Sequence, residues 1–249
     1  MATIVETATG TVDKADVDPV TLDLIENGLR NARYEMDEVL FRTALSPGIR
    51  EQHDEFPLIG DPEGKMVVGQ FGLSVPDFLA GFDGTIEEGD VLLTSDPYAC
   101  GAAISHANDW LIVLPIFHEG RVVGWASMFG HMSDVGGKTP SSMPTDARTI
   151  YEEGVVIPPF KLYAKGVLNE DALRIVLNQV RKPDWNRADL NGLVAACRTA
   201  ARRVVEMCER FGTGTYLAAL DALLQRNYDA MKVLPVSYTH LTLPTTERV

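Results

Sequence analysis

The chain has 249 residues, 45% of them hydrophobic and 23% charged, so it is an ordinary globular protein with enough apolar material for a sizeable core in one large domain or two small ones. Its formal net charge of -13, from 35 acidic and 22 basic residues, argues against a nucleic-acid partner, because phosphate binding needs a basic footprint.

Residues 1–17 are polar and rich in Thr and Asp, and are expected to form a disordered leader. Asp18-Pro19 then opens a helix, since Asp caps well and Pro suits the first helical position. Ile25, Leu29, Ala32, Met36, Val39 and Leu40 follow at helical spacing, and Ser46-Pro47-Gly48 ends the helix. The polar run Arg50 to Glu55 reads as a solvated loop, with the alternative that it lends an arginine and acids to a site. Phe56–Val68 reads as a hairpin turned at Asp61-Pro62-Glu63-Gly64. Val91–Thr94, Trp110–Phe117 and Val122–Phe129 are further strands, the last two joined through His118-Glu119-Gly120-Arg121, which makes His118 a turn residue. Their nearly continuous apolar runs imply a sheet covered on both faces. Residues 138–160 are irregular, and long ordered loops of this kind often carry function. The chain then turns helical: Asn169 caps a helix over Glu170–Val180, Pro183 stops it, Asp184 caps a longer one closed by Phe211-Gly212, and a last helix spans Tyr216–Lys232.

From Val236 the composition changes abruptly to a Thr-rich stretch that looks like read-through of a sequencing-library adapter. The expectation is that residues 236–249 are a non-native tail that does not pack and that the natural protein continues past residue 235. The remainder divides into an α/β region over 18–168 and a helical segment over 169–235. The fold class is α+β: a mixed β-sheet core with a long N-terminal helix and a C-terminal helical segment.

Cys100, Cys197 and Cys208 include no CxxC pair, which argues against a disulfide framework and for a reducing compartment. Cys197 and Cys208 fall on apolar helix faces, and Cys100 is read as a small loop residue rather than a nucleophile. The N-terminus lacks the basic region and apolar core of a signal peptide, and no run approaches the roughly 20 apolar residues of a membrane span. A cytoplasmic protein without membrane contact is expected.

Chemistry concentrates between Ser95 and Gly137, where His106 and His131 each stand three residues before an Asp, Asp109 and Asp134. Imidazole and carboxylate suit divalent ions such as Zn, Mn and Fe, and two His with one carboxylate leave coordination positions open, as a working site requires. Both boxes adjoin strand ends, where a rigid sheet positions loop residues. A His and an Asp three apart share a face only on a helical turn, so Ser105–Trp110 should be a turn or short helix entering the strand. Asp134 is then a candidate to hold a ligand imidazole from behind through its other N–H.

Several stretches together resemble the hydantoinase B/oxoprolinase family, which includes subunits of acetone and acetophenone carboxylases. They are DPVTL from Asp18, RTALSPGIREQHDE, SDPYACGAAISHAND, FGHMSDVGG, SSMPTDARTIYEEGVVIPP and GVLNEDAL, covering most of Asp18 to Lys232. The resemblance implies a B-type subunit that works with a hydantoinase A-type partner; the partner binds ATP with Mg and activates a carbonyl or bicarbonate by phosphorylation. It implies that His106, Asp109 and His131 hold a divalent metal, manganese in the acetone carboxylases, for a small-molecule substrate. Family members are much longer, so this chain resembles an N-terminal portion of one. Many members carry HH where this chain has His131-Met132, and THLPD where it has SHAND, which leaves the substrate open between a cyclic amide to be hydrolysed and a ketone to be carboxylated.

Three rival readings compete with this one. A mononuclear iron oxygenase also uses two His and one carboxylate, but its His-x-Asp spacing is absent. A serine-hydrolase triad has no GxSxG to stand on. A non-catalytic scaffold is compatible with the absence of GxxxxGK and GxGxxG, which in any case assigns ATP chemistry to a partner.

Overall fold

A computed structural model describes residues 2–8, 11–13, 16–70, 73–101, 103–141 and 143–238. The chain opens with strand β1 (Thr3–Ile4), helix α1 (Pro19–Thr43) and the single turn α2 (Pro47–Arg50), followed by β2 (Glu55–Gly60), β3 (Met66–Gly69), α3 (Val75–Gly81) and β4 (Thr85–Ile86). Next come β5 (Val91–Thr94), β6 (Asp109–His118), β7 (Arg121–His131), β8 (Phe160–Ala164) and β9 (Val167–Leu168), and the chain closes with α4 (Glu170–Leu177), α5 (Pro183–Phe211) and α6 (Thr213–Tyr238). The architecture is α+β. A seven-stranded sheet of order β3-β2-β7-β6-β5-β8-β9 pairs antiparallel throughout, and β1 and β4 form a separate two-stranded parallel ribbon.

Alternation along β6 shows why the sheet is apolar on both faces. Trp110, Ile112, Leu114 and Ile116 enter one core with Ile25, Leu29, Met36 and Leu40 of α1 and Leu193, Cys197 and Val204 of α5. Leu111 and Val113 face a second core with Trp125, Phe129, Phe78 of α3, and Cys100 and Ile104 of the loop between β5 and β6. One face therefore lies under helices and the other under α3 and a long loop. Asp18 caps α1 as expected, its carboxylate accepting from the N–H groups of Val20 and Thr21 at 3.0 Å each. Among the described residues no helix is long and apolar enough to cross a membrane.

Several expectations are corrected. The 1–17 stretch includes ordered chain: β1 pairs with β4, Thr7 and Ala8 donate their N–H groups to the Gly120 carbonyl, and the Glu6 carboxylate accepts from the N–H of Val122. A polar segment with few apolar anchors is ordered here by backbone pairing, which composition does not reveal. Asp184 is not a cap. Lys182 holds the cap position and Pro183 the first turn of α5, so Pro183 starts this helix as well as following α4, which ends at Leu177 rather than Val180. α6 runs on to Tyr238, past the expected end at Lys232 and the expected break at Val236; residues 239–249 lie outside the described residues.

Candidate metal centre

The two-residue turn at the tip of the β6–β7 hairpin, Glu119-Gly120, has positive φ at both positions (50° and 76°), the twist that matches paired strands. Counting back from this turn would place Asp109 opposite Gly130. A register shift between Ile116 and Phe117 absorbs one extra residue of β7, and Asp109 instead lies directly opposite His131. Opposed residues share a face. By the alternation of β6, it is the face of Leu111 and Val113, under the loop that carries His106.

That loop turns back just before the strand, with the Asp109 N–H donating to the His106 carbonyl at 3.2 Å, which is the turn the His-x-x-Asp spacing demanded. As a result His106, Asp109 and His131 converge, each offering a ligand atom within 4.8 Å of the others. Asp109 is the hub. Its Oδ1 lies 3.3 Å from Nδ1 of His131, its Oδ2 3.6 Å from Nδ1 of His106, and the two rings meet edge-on with centroids 5.1 Å apart. Ser105 donates its hydroxyl to Asp109 Oδ2 at 3.4 Å. Beyond the site the ladder continues, Met132 donating its N–H to the Asn108 carbonyl at 2.9 Å and the Asn108 amide donating to the Met132 carbonyl at 3.1 Å.

Three buried atoms here have no hydrogen-bond partner: Nδ1 of His106, Nδ1 of His131 and Oδ1 of Asp109. Such atoms are expensive to bury unsatisfied. Two imidazole nitrogens and one carboxylate oxygen form the donor set that a divalent ion such as Zn, Mn or Fe satisfies with positions to spare, so these residues fit the group.

Sequence reasoning left Asp54 undistinguished within the Arg50–Glu55 cluster, and Asp134, a candidate to hold a ligand imidazole, has other partners. Glu55 of β2 pairs with Gly130, and the next step of the same ladder brings Asp54 beside His131, whose N–H donates to the Asp54 carbonyl at 3.0 Å. Asp54 Oδ2 then lies 3.5 Å from Nδ1 of His131. Of the Arg50–Glu55 cluster, Asp54 thus faces His131, which accords with the alternative to a solvated loop. Asp134 lies elsewhere. β7 ends at His131, and the chain bends away through Gly136, whose φ is +81°. The Asp134 carboxylate takes Arg181 at 3.0 and 3.2 Å and the N–H groups of Gly136 and Ser141 at 2.9 and 3.0 Å. Burial alone would raise its pKa, but these hydrogen bonds outweigh it and hold the carboxyl below the usual carboxylate range. Asp134 thus anchors the loop after β7 to the residues preceding α5.

A second support comes from α5. Asp189 is fully buried and accepts from the N–H groups of Leu45, at 2.6 Å, and Ser46, fixing the corner between α1 and α2. Ser46 in turn accepts from the N–H of Ser133 at 3.1 Å, and the amide of Asn186 donates to the Asp134 carbonyl at 3.0 Å. Cys100 is buried under the loop and burial pushes its thiol pKa up, which keeps it neutral and fits a packing role.

Residues 18–234 match the family model described as Hydantoinase B/oxoprolinase. The chain is 34% identical over 216 residues to the caprolactamase subunit beta of Pseudomonas jessenii, covering 83% of this chain and 37% of that subunit. It is 31% identical over 237 residues to 5-oxoprolinase 1 of Arabidopsis thaliana, covering 86% of this chain and 18% of that protein. The crystal structure of the ATP-dependent caprolactamase from Pseudomonas jessenii superposes with a TM-score of 0.77 at 30% identity, over 88% of this chain and 39% of that one. The chain thus spans less than half the length of each of these relatives.

Proposed function

This chain belongs to the hydantoinase B/oxoprolinase family, and we propose that it forms the metal-bearing part of a B-type subunit in an ATP-dependent enzyme acting on a cyclic amide or a ketone. One observation carries the proposal: His106, Asp109 and His131 converge with three buried donor atoms left without partners. The relatives named for caprolactam and 5-oxoproline, both cyclic amides, incline the reading toward amide hydrolysis rather than ketone carboxylation.

His106, Asp109 and His131 would hold a divalent ion, which would supply Lewis-acid polarisation of a carbonyl, enolate or carboxyl oxygen. The chain's own residues have other tasks. Asp109 presents one oxygen toward each imidazole, and Asp54 places a second carboxylate beside the same Nδ1 of His131, where it would offer the ion a further oxygen. The burial of Asp109 and the loop over His106 exclude water from one side of the site. In keeping with the family resemblance, ATP with Mg would sit on a hydantoinase A-type partner, both subunits working in the cytoplasm; this chain itself carries neither GxxxxGK nor GxGxxG.

The test is reconstitution. The full-length subunit with its A-type partner should turn over substrate only with ATP and a divalent ion, and the present chain alone should turn over none. In the complex, His131→Ala should abolish product and lower bound metal while assembly survives. Normal metal content and rate in that variant would refute the site, and turnover of ATP by the isolated chain would refute the division of labour.

A further inference from the structure

A cleft of about 380 Å³ opens beside the metal centre, walled by Gly48, Gln52, His131, Asp134, Lys182 and Trp185. Its volume is that of a small-molecule site. His131 belongs both to this cleft and to the convergent group, and its side chain keeps 13% exposure, so the cleft and the centre share one imidazole. Gly48 packs closely on this residue: a Cβ there would come within 3.3 Å of the His131 carbonyl and 3.5 Å of its ring.

The charges on the walls are unequal. The Asp134 carboxylate is matched by the Arg181 guanidinium and two backbone N–H groups, and Arg181 is further tied to the Gly137 carbonyl. Lys182 has no carboxylate within ion-pairing distance among the described residues, and its ammonium rests 3.9 Å above the Trp185 ring. Among the residues that wall the cleft, Lys182 is therefore the cation without an ion-pair partner. α5 starts one residue later, so its positive end adds to the same field. Asp184, in the first turn of α5, is not among the residues that wall the cleft. Trp185, half-buried, carries the ammonium over its ring and adds apolar surface to the same wall.

We propose that this cleft is an organic-anion subsite, in which Lys182 pairs with a carboxylate or phosphoryl group and Trp185 packs on the carbon body beside it. The inference rests on the reading of His106, Asp109 and His131 as the reacting centre, which the anion's remaining functional group would face.

Binding can be measured without turnover. Benzoate, phenyl phosphate and neutral benzamide are titrated into the chain while tryptophan fluorescence and heat are recorded. Trp110 and Trp125 are fully buried, so Trp185 is the reporter, with Trp185→Phe as the control. At least one anion should saturate and bind at least about tenfold more tightly than benzamide, and Lys182→Ala should weaken it at least about tenfold, the scale of one hydrogen bond to a charged group. Lys182→Arg should restore most of the affinity. The stronger of benzoate and phenyl phosphate identifies the group the subsite prefers. Lys182 is exposed, so melting temperatures should not move, and Lys182→Glu provides a second variant that should abolish anion binding. Anions that bind no better than benzamide, or unchanged binding in both Lys182→Ala and Lys182→Glu, would overturn the subsite. Metal content measured on the same samples separates the two readings. Normal metal with no anion selectivity removes the subsite alone, and selective anion binding without any bound metal removes the reacting centre alone.

Discussion

The β6–β7 hairpin carries a histidine at each end, and their fates differ. At the turn, His118 pairs with Arg121 in the ladder and shares a hydrogen bond of 3.0 Å between its Nδ1 and the Thr213 hydroxyl. At the open end, His131 has a buried Nδ1 without a hydrogen-bond partner, facing two carboxylates at 3.3 and 3.5 Å. Both sit on the same two strands. A satisfied histidine ties elements together, whereas an orphaned one among acids is poised for a ligand that the fold does not itself supply. Residue type alone does not separate them; the inventory of partners does.

The comparison breaks most readily at the open end. Asp109→Asn or His131→Ala should weaken divalent-metal affinity on the order of 100-fold or more, because each removes one of three donors. His118→Ala should leave the bound metal unchanged. Equilibrium dialysis with Mn and Zn on the purified variants measures this, and equal losses at both ends would erase the distinction. Asp54→Asn probes the neighbouring carboxylate. Its Oδ2 faces the same Nδ1 of His131 that the ion would take, so its loss should lower affinity about tenfold, less than the loss of Asp109 or His131. No change would remove Asp54 from the site.

Stability should divide along the same line. Asp189→Ala strands the buried N–H groups at the α1–α2 corner behind the open end, and should cost about 2–4 kcal/mol in denaturant unfolding. Asp134→Asn should cost about 1–2 kcal/mol at pH 7 from its charge-assisted bonds. The sign follows from its lowered carboxyl pKa: this stabilisation is present above the ordinary carboxylate value of 3.8 and disappears as pH falls through the lower folded value. The difference between wild type and Asp134→Asn should therefore shrink in acid, and a pH-independent difference would contradict the assignment. At the turn, His118→Ala should cost only about 1 kcal/mol, one neutral hydrogen bond.

Much of the fold was legible because its signals are local. The Asp18-Pro19 cap, the helical spacing of Ile25 to Leu40, the continuous apolar run along Trp110–Phe117 and the Glu119-Gly120 turn each lie within a few neighbouring residues. The His106–Asp109 turn was legible for the same reason, since ligand spacing restricts backbone conformation. What was missed depends on partners distant in sequence. β1 exists because Thr85 and Ile86 are there to pair with it, and β8 because β5 offers a free edge. Asp54 reaches His131 only because β2 adds to the outer side of β7, a pairing not encoded in the polar run that contains it. Asp134 repeats the spacing of Asp109 after a histidine, yet the bend after β7 sends it to Arg181 instead. Equal spacing gave unequal geometry because one Asp starts a strand and the other follows the end of one.

The central claim is that the open end of this hairpin is a metal centre, and bound metal is its most direct measure. Wild type and His118→Ala, loaded with Mn or Zn and then gel-filtered, should each retain one divalent ion per chain by elemental analysis, while His131→Ala and Asp109→Asn retain none. A wild-type chain that retains no stoichiometric ion, or a His131→Ala chain that retains the same amount as wild type, would contradict the account.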